Sequence, residues 1–76
     1  MKTRYKHFRF FDWKSSWVCL TNSEVILGYV YYYEEWNQYV FEPATSYTTV
    51  HSAGCLRDIA DFLEQLKNEA TGEPDP

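Results

Sequence analysis

Apolar and polar residues alternate with a period near two along most of the first fifty residues, then switch to a period near 3.6, and that switch predicts strands followed by one helix. From Thr3 to Trp13 one face carries Tyr5, His7, Arg9, Phe11 and Trp13, and the other carries Arg4, Lys6, Phe8, Phe10 and Asp12. Neither face is cleanly apolar, the mark of an edge strand whose charges discourage pairing with another chain. Lys14-Ser15-Ser16 turns the chain into a second strand, Trp17 to Leu20. Thr21-Asn22-Ser23-Glu24 turns it again, with side chains suited to bonding local backbone. The third strand, Val25 to Tyr33, is the most β-prone and is expected centrally, sending Val25, Leu27, Tyr29, Tyr31 and Tyr33 one way and Ile26, Gly28, Val30 and Tyr32 the other. Gly28 in mid-strand implies a bulge or the close approach of a ring or backbone. Glu34-Glu35 closes the next hairpin, as a tight turn or a longer loop, and Trp36 to Glu42 returns until Pro43 stops it. Tyr47 to Val50 is a candidate fifth strand.

Beyond His51-Ser52-Ala53-Gly54, Leu56, Ile59, Leu63 and Leu66 form one apolar stripe with Ala60 and Phe62 at its margins, and Asp58, Asp61, Glu64 and Asn68 lie opposite. Ser52 is placed to cap this helix, Arg57 and Asp61 are spaced for an i,i+4 pair, and Gly72 with Pro74 ends it. The expected fold is α+β: an antiparallel four- to five-stranded meander with one C-terminal amphipathic helix on one face. Residues 1–70 form the single domain, and 71–76 an acidic, disordered tail.

A lone helix covers one face of a sheet. The chain carries three Trp, seven Tyr and five Phe, fifteen rings in 76 residues, more than one helix-covered face can hide. Some must lie outside, where exposed apolar surface and Tyr or Trp mark binding sites, unless cross-strand ring pairs alone explain them. The candidates are Tyr29, Tyr31, Tyr33 and Trp36.

Charge sharpens the picture. The net charge is −4, but residues 1–14 hold Lys2, Arg4, Lys6, Arg9 and Lys14 against Asp12 alone, while the rest holds Arg57 and Lys67 against ten acids. Such asymmetry orients an encounter with a charged partner or steadies the fold. No apolar run reaches the roughly 20 residues of a membrane span and no signal-peptide core follows the N-terminus, so the expected location is the cytoplasm. There Cys19 and Cys55 remain free thiols and pack as small hydrophobes.

Chemistry is sparse. Cys55 near a helix start with His51 four residues earlier is the one nucleophile-like pair, and it lacks a third, orienting group. His7, Cys19, His51 and Cys55 show no metal-ligand spacing. The reading is a non-enzymatic module that binds a macromolecule, with no cofactor. A nucleic-acid alternative rests on Arg4, Lys6 and Arg9 interleaved with Tyr5, Phe8, Phe10 and Phe11, a stacking platform with phosphate contacts, though without the consensus pattern of an RNA-recognition sheet and beside an acidic helix.

The runs Trp17-x-Cys19-x-x-Asn22, Leu27-Gly28, Trp36-x-Gln38-Tyr39-x-Phe41-x-Pro43 and Leu56-x-x-Ile59-x-x-Phe62-Leu63, within residues 10–67, resemble a group of small uncharacterised proteins of bacteriophages, prophages and bacterial mobile elements, a domain of unknown function. Asn37 stands where such proteins often carry Arg. The resemblance supports the fold boundaries, implies a mobile-element setting and assigns no residue a task. In that setting the sharpest expectation is an acidic protein that docks on a host or defence protein, with Glu34, Glu35, Asp58, Asp61 and Glu64 competing for a basic groove and the tyrosines supplying affinity. A self-associating module, a homodimer through the uncovered face or an edge, is the third expectation.

Overall fold

Four strands hydrogen-bonded in chain order build the sheet, and a single helix follows them. In the protein's structure, a computed structural model that describes residues 1–44 and 52–71, these are β1 (Phe8–Trp13), β2 (Ser16–Thr21), β3 (Ile26–Tyr33), β4 (Gln38–Pro43) and α1 (Ala53–Thr71). All three pairings are antiparallel and the order is β1-β2-β3-β4, so β1 is an edge and β3 is central, as the alternation predicts. The candidate fifth strand at 47–50 and the tail at 72–76 lie outside the described residues.

The turns explain the register. Trp13 pairs with Ser16 across a two-residue loop, and both loop residues, Lys14 and Ser15, have positive φ (46° and 66°). This backbone matches the twist of paired strands, but it favours Asn and Gly, which neither position supplies. The β3–β4 connection is the longer alternative: Glu34 to Asn37 form the loop, closed by Trp36 N–H to Tyr33 C=O (3.2 Å) and Asn37 N–H to Glu34 C=O (3.1 Å). Trp36 therefore sits in the turn and not at the start of β4, and Asn37 takes the positive φ of 52° that Asn tolerates.

Two further strand expectations need correction. β1 begins at Phe8 and not at Thr3. The preceding residues double back, joined by an Arg4–Arg9 bridge, by Tyr5 N–H to Phe8 C=O and by Phe10 N–H to Thr3 C=O, both 2.8 Å. Alternation in β3 also breaks, because the register shifts at a bulge where Cys19 faces Gly28 and Leu20 faces Ile26. The extra residue, Leu27, turns into the core, while Tyr29, Tyr31 and Tyr33 keep the opposite face.

Gly28 is required there. A Cβ on it would lie 2.5 Å from the Glu42 carbonyl oxygen and 2.6 Å from Phe41 Cζ. Bulge and close approach thus coincide at one glycine, and β4 lies against it.

The core is one-sided. Phe8, Phe10, Cys19, Leu27 and Val30 from the sheet meet Ile59, Phe62 and Leu66 from α1, with Tyr5, Trp17, Tyr39 and Phe41 packed around them. Phe62 is central: its ring stacks on Phe10 at 3.9 Å and 2° and meets Trp17 edge-on at 5.1 Å. The helix is therefore rotated from the expected stripe. Phe62 is fully buried, whereas Leu56 is 55 % exposed. The cap is as expected, since Cys55 N–H donates to Ser52 Oγ (3.2 Å) and Leu56 N–H to Ser52 C=O (3.0 Å).

Replacing Gly28 with Ala should lower unfolding stability by roughly 1–3 kcal/mol, the range for overpacking, measured by urea denaturation. An unchanged midpoint would show that β4 does not press on this position.

Candidate functional site

Every second residue of each strand points away from α1, and the register places these residues in rows. Phe11, Val18, Tyr29 and Glu42 form one row across all four strands. Trp13 and Ser16 lie level with Tyr31 and Val40, with Tyr33 and Gln38 one step on. Arg9, Leu20 and Ile26 make the row at the other end. Among the described residues no element lies over this outer face. Val18 at its centre is buried, while Trp13, Tyr29 and Ile26 stand open to solvent.

The rings are held in place. Trp36, 64 % exposed, meets Tyr33 edge-on at 5.0 Å, and Phe11 meets Trp13 edge-on at 6.4 Å. Tyr31 Oη donates to Glu42 Oε1 (2.9 Å), and Tyr33 Oη donates to Glu35 Oε2 (3.1 Å). The bond to Glu42 is the main reason that the Tyr31 hydroxyl has a raised pKa. With the two hydroxyls satisfied within the molecule, these rings offer apolar faces that demand no polar partner.

Charge divides the outer face lengthwise. On the β1 side the Arg9 guanidinium lies 6.0 Å from the Phe11 ring and Lys14 Nζ lies 5.7 Å from the Trp13 ring. On the β4 side stand Glu42 and, in the hairpin loop, Glu34 and Glu35. Arg9 also approaches Glu24 at 3.7 Å, the one ion pair among the described residues.

The structure thus brings together Tyr29, Tyr31, Tyr33, Glu34, Glu35 and Trp36 on the outer face and its β3–β4 end. The helix acids lie on the other side of the sheet. Asp58, Asp61 and Glu64 belong to α1, which packs on the opposite face, although Glu64 lines a cleft that reaches Asn37 in the β3–β4 loop. Asp61 is already engaged: Tyr5 Oη donates to its Oδ2 (2.7 Å), and no Arg57–Asp61 pair forms.

Tyr5 belongs to a clamp that alternation does not reveal. Gln65 Nε2 donates to Tyr5 Oη (2.8 Å) and to the Lys2 carbonyl (2.9 Å), and Lys2 N–H donates to Gln65 Oε1 (2.8 Å). These bonds tie the N-terminal segment to the helix, and Lys2 Nζ rests over the Tyr5 ring at 4.5 Å. Burial first, then the bond to Asp61, raises the pKa of Tyr5 well above its ordinary value.

Of the nucleic-acid set, Phe8 and Phe10 are buried against α1 and cannot stack on a base, Arg4 and Lys6 lie in the doubled-back segment, and Arg9 is on the outer face. An open cleft of about 600 Å3 lies on the helix side between Tyr32, Asn37 and Tyr39 of the β3–β4 hairpin and Leu63, Glu64 and Lys67 of α1. Among the described residues no three His, Cys, Asp or Glu gather as metal ligands, and no helix is long and apolar enough to cross a membrane. Cys19 is buried in the core, which pushes its thiol up to about 12, and Cys55 is half-buried; both are free. His51 lies outside the described residues. No family model, curated protein or solved structure matches the chain.

Two titrations test this arrangement. Because the folded-state pKa of Tyr5 is raised, its contribution to stability is complete below about pH 10, the pKa of an unfolded tyrosine, and declines as pH rises above it. Tyr5→Phe should flatten that decline in denaturation curves taken from pH 9 upward; an identical slope in the variant would place the titrating group elsewhere. At pH 8 a thiol reagent should modify Cys55 in the native protein and Cys19 only after unfolding. Equal rates at both thiols would contradict the one-sided core.

Proposed function

We propose that the protein is a non-catalytic protein-docking module and that the outer face of its sheet is the docking surface. The observation that carries this reading is a face of aromatic and branched side chains spanning all four strands, without a covering element among the described residues. A contiguous apolar patch of this extent on a small chain exposes more than scattered surface residues do, and its Trp and Tyr content matches binding hot spots. Its rigidity favours affinity. Ring pairs and hydroxyl bonds fix Tyr31, Tyr33 and Trp36 before binding, so little side-chain freedom is lost on contact.

Protein fits this surface better than nucleic acid. Arg9 and Lys14 are the cations at the edge of the face, they are balanced by Glu42, Glu34 and Glu35, and two of the aromatic residues interleaved with the N-terminal basic residues are buried. A phosphate backbone needs a continuous basic track. In the mobile-element setting that the residue pattern suggests, docking through this face would let the protein occupy the surface of another protein. The helix acids Asp58 and Asp61 would then form a separate surface, with Glu64 in the cleft between α1 and the β3–β4 hairpin.

A photo-crosslinking side chain at Tyr31, compared with one at Lys67 on α1, tests the assignment in cells that express the protein. Discrete protein adducts from position 31, and none from position 67, are expected. Adducts confined to position 67, or nucleic acid recovered from position 31, would refute it.

A further inference from the structure

We infer that the partner of the outer face is a second copy of this chain, packed sheet to sheet about a two-fold axis that runs along the strands; this rests on the docking reading above. The charge pattern selects both the occupant and the axis. Cations sit on the β1 side of the face (Arg9, Lys14) and anions on the β4 side and its loop (Glu42, Glu35). Two sheets stacked about 10 Å apart are related by a two-fold axis lying between them. If that axis runs along the strands, β1 of each copy lies over β4 of the other, and every cation of one copy faces an anion of the second. If it runs across the strands, β1 lies over β1 and like charges meet.

Position along the strands agrees. Phe11 and Glu42 share a row with Val18 and Tyr29, so the axis places Phe11 over Glu42 of the second copy and leaves Arg9 one row away, within reach of that carboxylate. Lys14, in the loop beyond Trp13, lies at the same end of the sheet as the loop that carries Glu35. The middle of the contact is apolar: Val18 and Tyr29 of each copy lie over Tyr29 and Val18 of the other.

Area is sufficient. Four strands spaced about 4.8 Å, each with six residues of about 3.3 Å, give a footprint of about 20 × 20 Å before side chains project from it. Two such faces give about 800 Å2, and the projecting side chains, with Trp13 and Trp36 both at the hairpin end, bring the total toward the roughly 1,200 Å2 at which specific interfaces begin. The edges compete poorly. The doubled-back residues 3–5 bond along β1, and a β4–β4 pairing would bring Glu42 toward its own copy.

The test is sedimentation equilibrium of the full chain with two charge reversals, Arg9→Glu and Glu42→Arg, each checked for folding by circular dichroism. Arg9 makes one long surface ion pair, whereas Glu42→Arg also releases the Tyr31 hydroxyl, so the charge pairing is read from recovery in the mixture and not from either single loss. The wild type should dimerise reversibly with concentration. Each variant alone should dimerise at least tenfold more weakly, because like charges then face across the contact twice. An equimolar mixture of the two variants should recover the dimer, since in the mixed pair each glutamate meets an arginine. A wild type that stays monomeric to millimolar concentration overturns the inference, as does a mixture no tighter than the single variants. If a monomeric chain still crosslinks from Tyr31 to a different protein, only the second copy falls; if Tyr31 crosslinks to nothing, the docking surface falls with it.

Discussion

The structure depends on one ring. Phe62 lies flat against Phe10 and edge-on to Trp17, and through it the only helix among the described residues is fixed to one side of a four-stranded sheet. A sheet has two faces, and one helix covers one. The apolar side chains that alternation sends to the far side must then be covered by a partner or face water, because a chain of this size supplies no second layer among its described residues. The N-terminal clamp reinforces the asymmetry: Tyr5 and Gln65 add further bonds on the side the helix already covers.

That asymmetry explains the composition. Buried rings on the helix side, Phe8, Phe10 and Phe62, build the core. Rings on the far side, Phe11, Trp13, Tyr29, Tyr31 and Tyr33, contribute less to folding and more to what the surface can hold. Their charged neighbours are ordered by strand, cations with β1 and anions with β4, so the face carries an electrical direction as well as an apolar centre. Such a pattern contributes more to the choice and orientation of a partner than to affinity.

Much of this was legible in the residues. The meander, the central position of β3, the Ser52 cap and the surplus of rings all follow from alternation, the helical period and counting. What escaped has specific causes. The bulge at Leu27 shifts the phase of β3 by one, and Gly28 signals a bulge or a close approach without saying which side chain changes face. The stripe Leu56, Ile59, Leu63 and Leu66 is a valid apolar row, yet the sheet selects the neighbouring row of Ile59, Phe62 and Leu66, because the Phe62 ring fills the space between Phe10 and Trp17. The Tyr5–Asp61–Gln65 clamp joins residues some sixty positions apart, beyond the reach of local patterns. Alternation also cannot tell which face a distant helix will choose, so the tyrosine row and the helix acids read as one site until the fold puts them on opposite sides.

The central claim is that stability lies on the helix side and the far face is left over from folding. Equilibrium urea denaturation of Phe62→Ala beside Trp36→Ala, at a concentration where the chain is monomeric, tests it most directly. The account predicts a loss of roughly 3–5 kcal/mol for Phe62→Ala, as for other buried rings, enough to unfold a marginal domain. It predicts a loss of about 1 kcal/mol or less for Trp36→Ala, the value of one exposed ring pair. Comparable losses at the two positions would mean that the outer face is part of the folding core, and the account would be wrong.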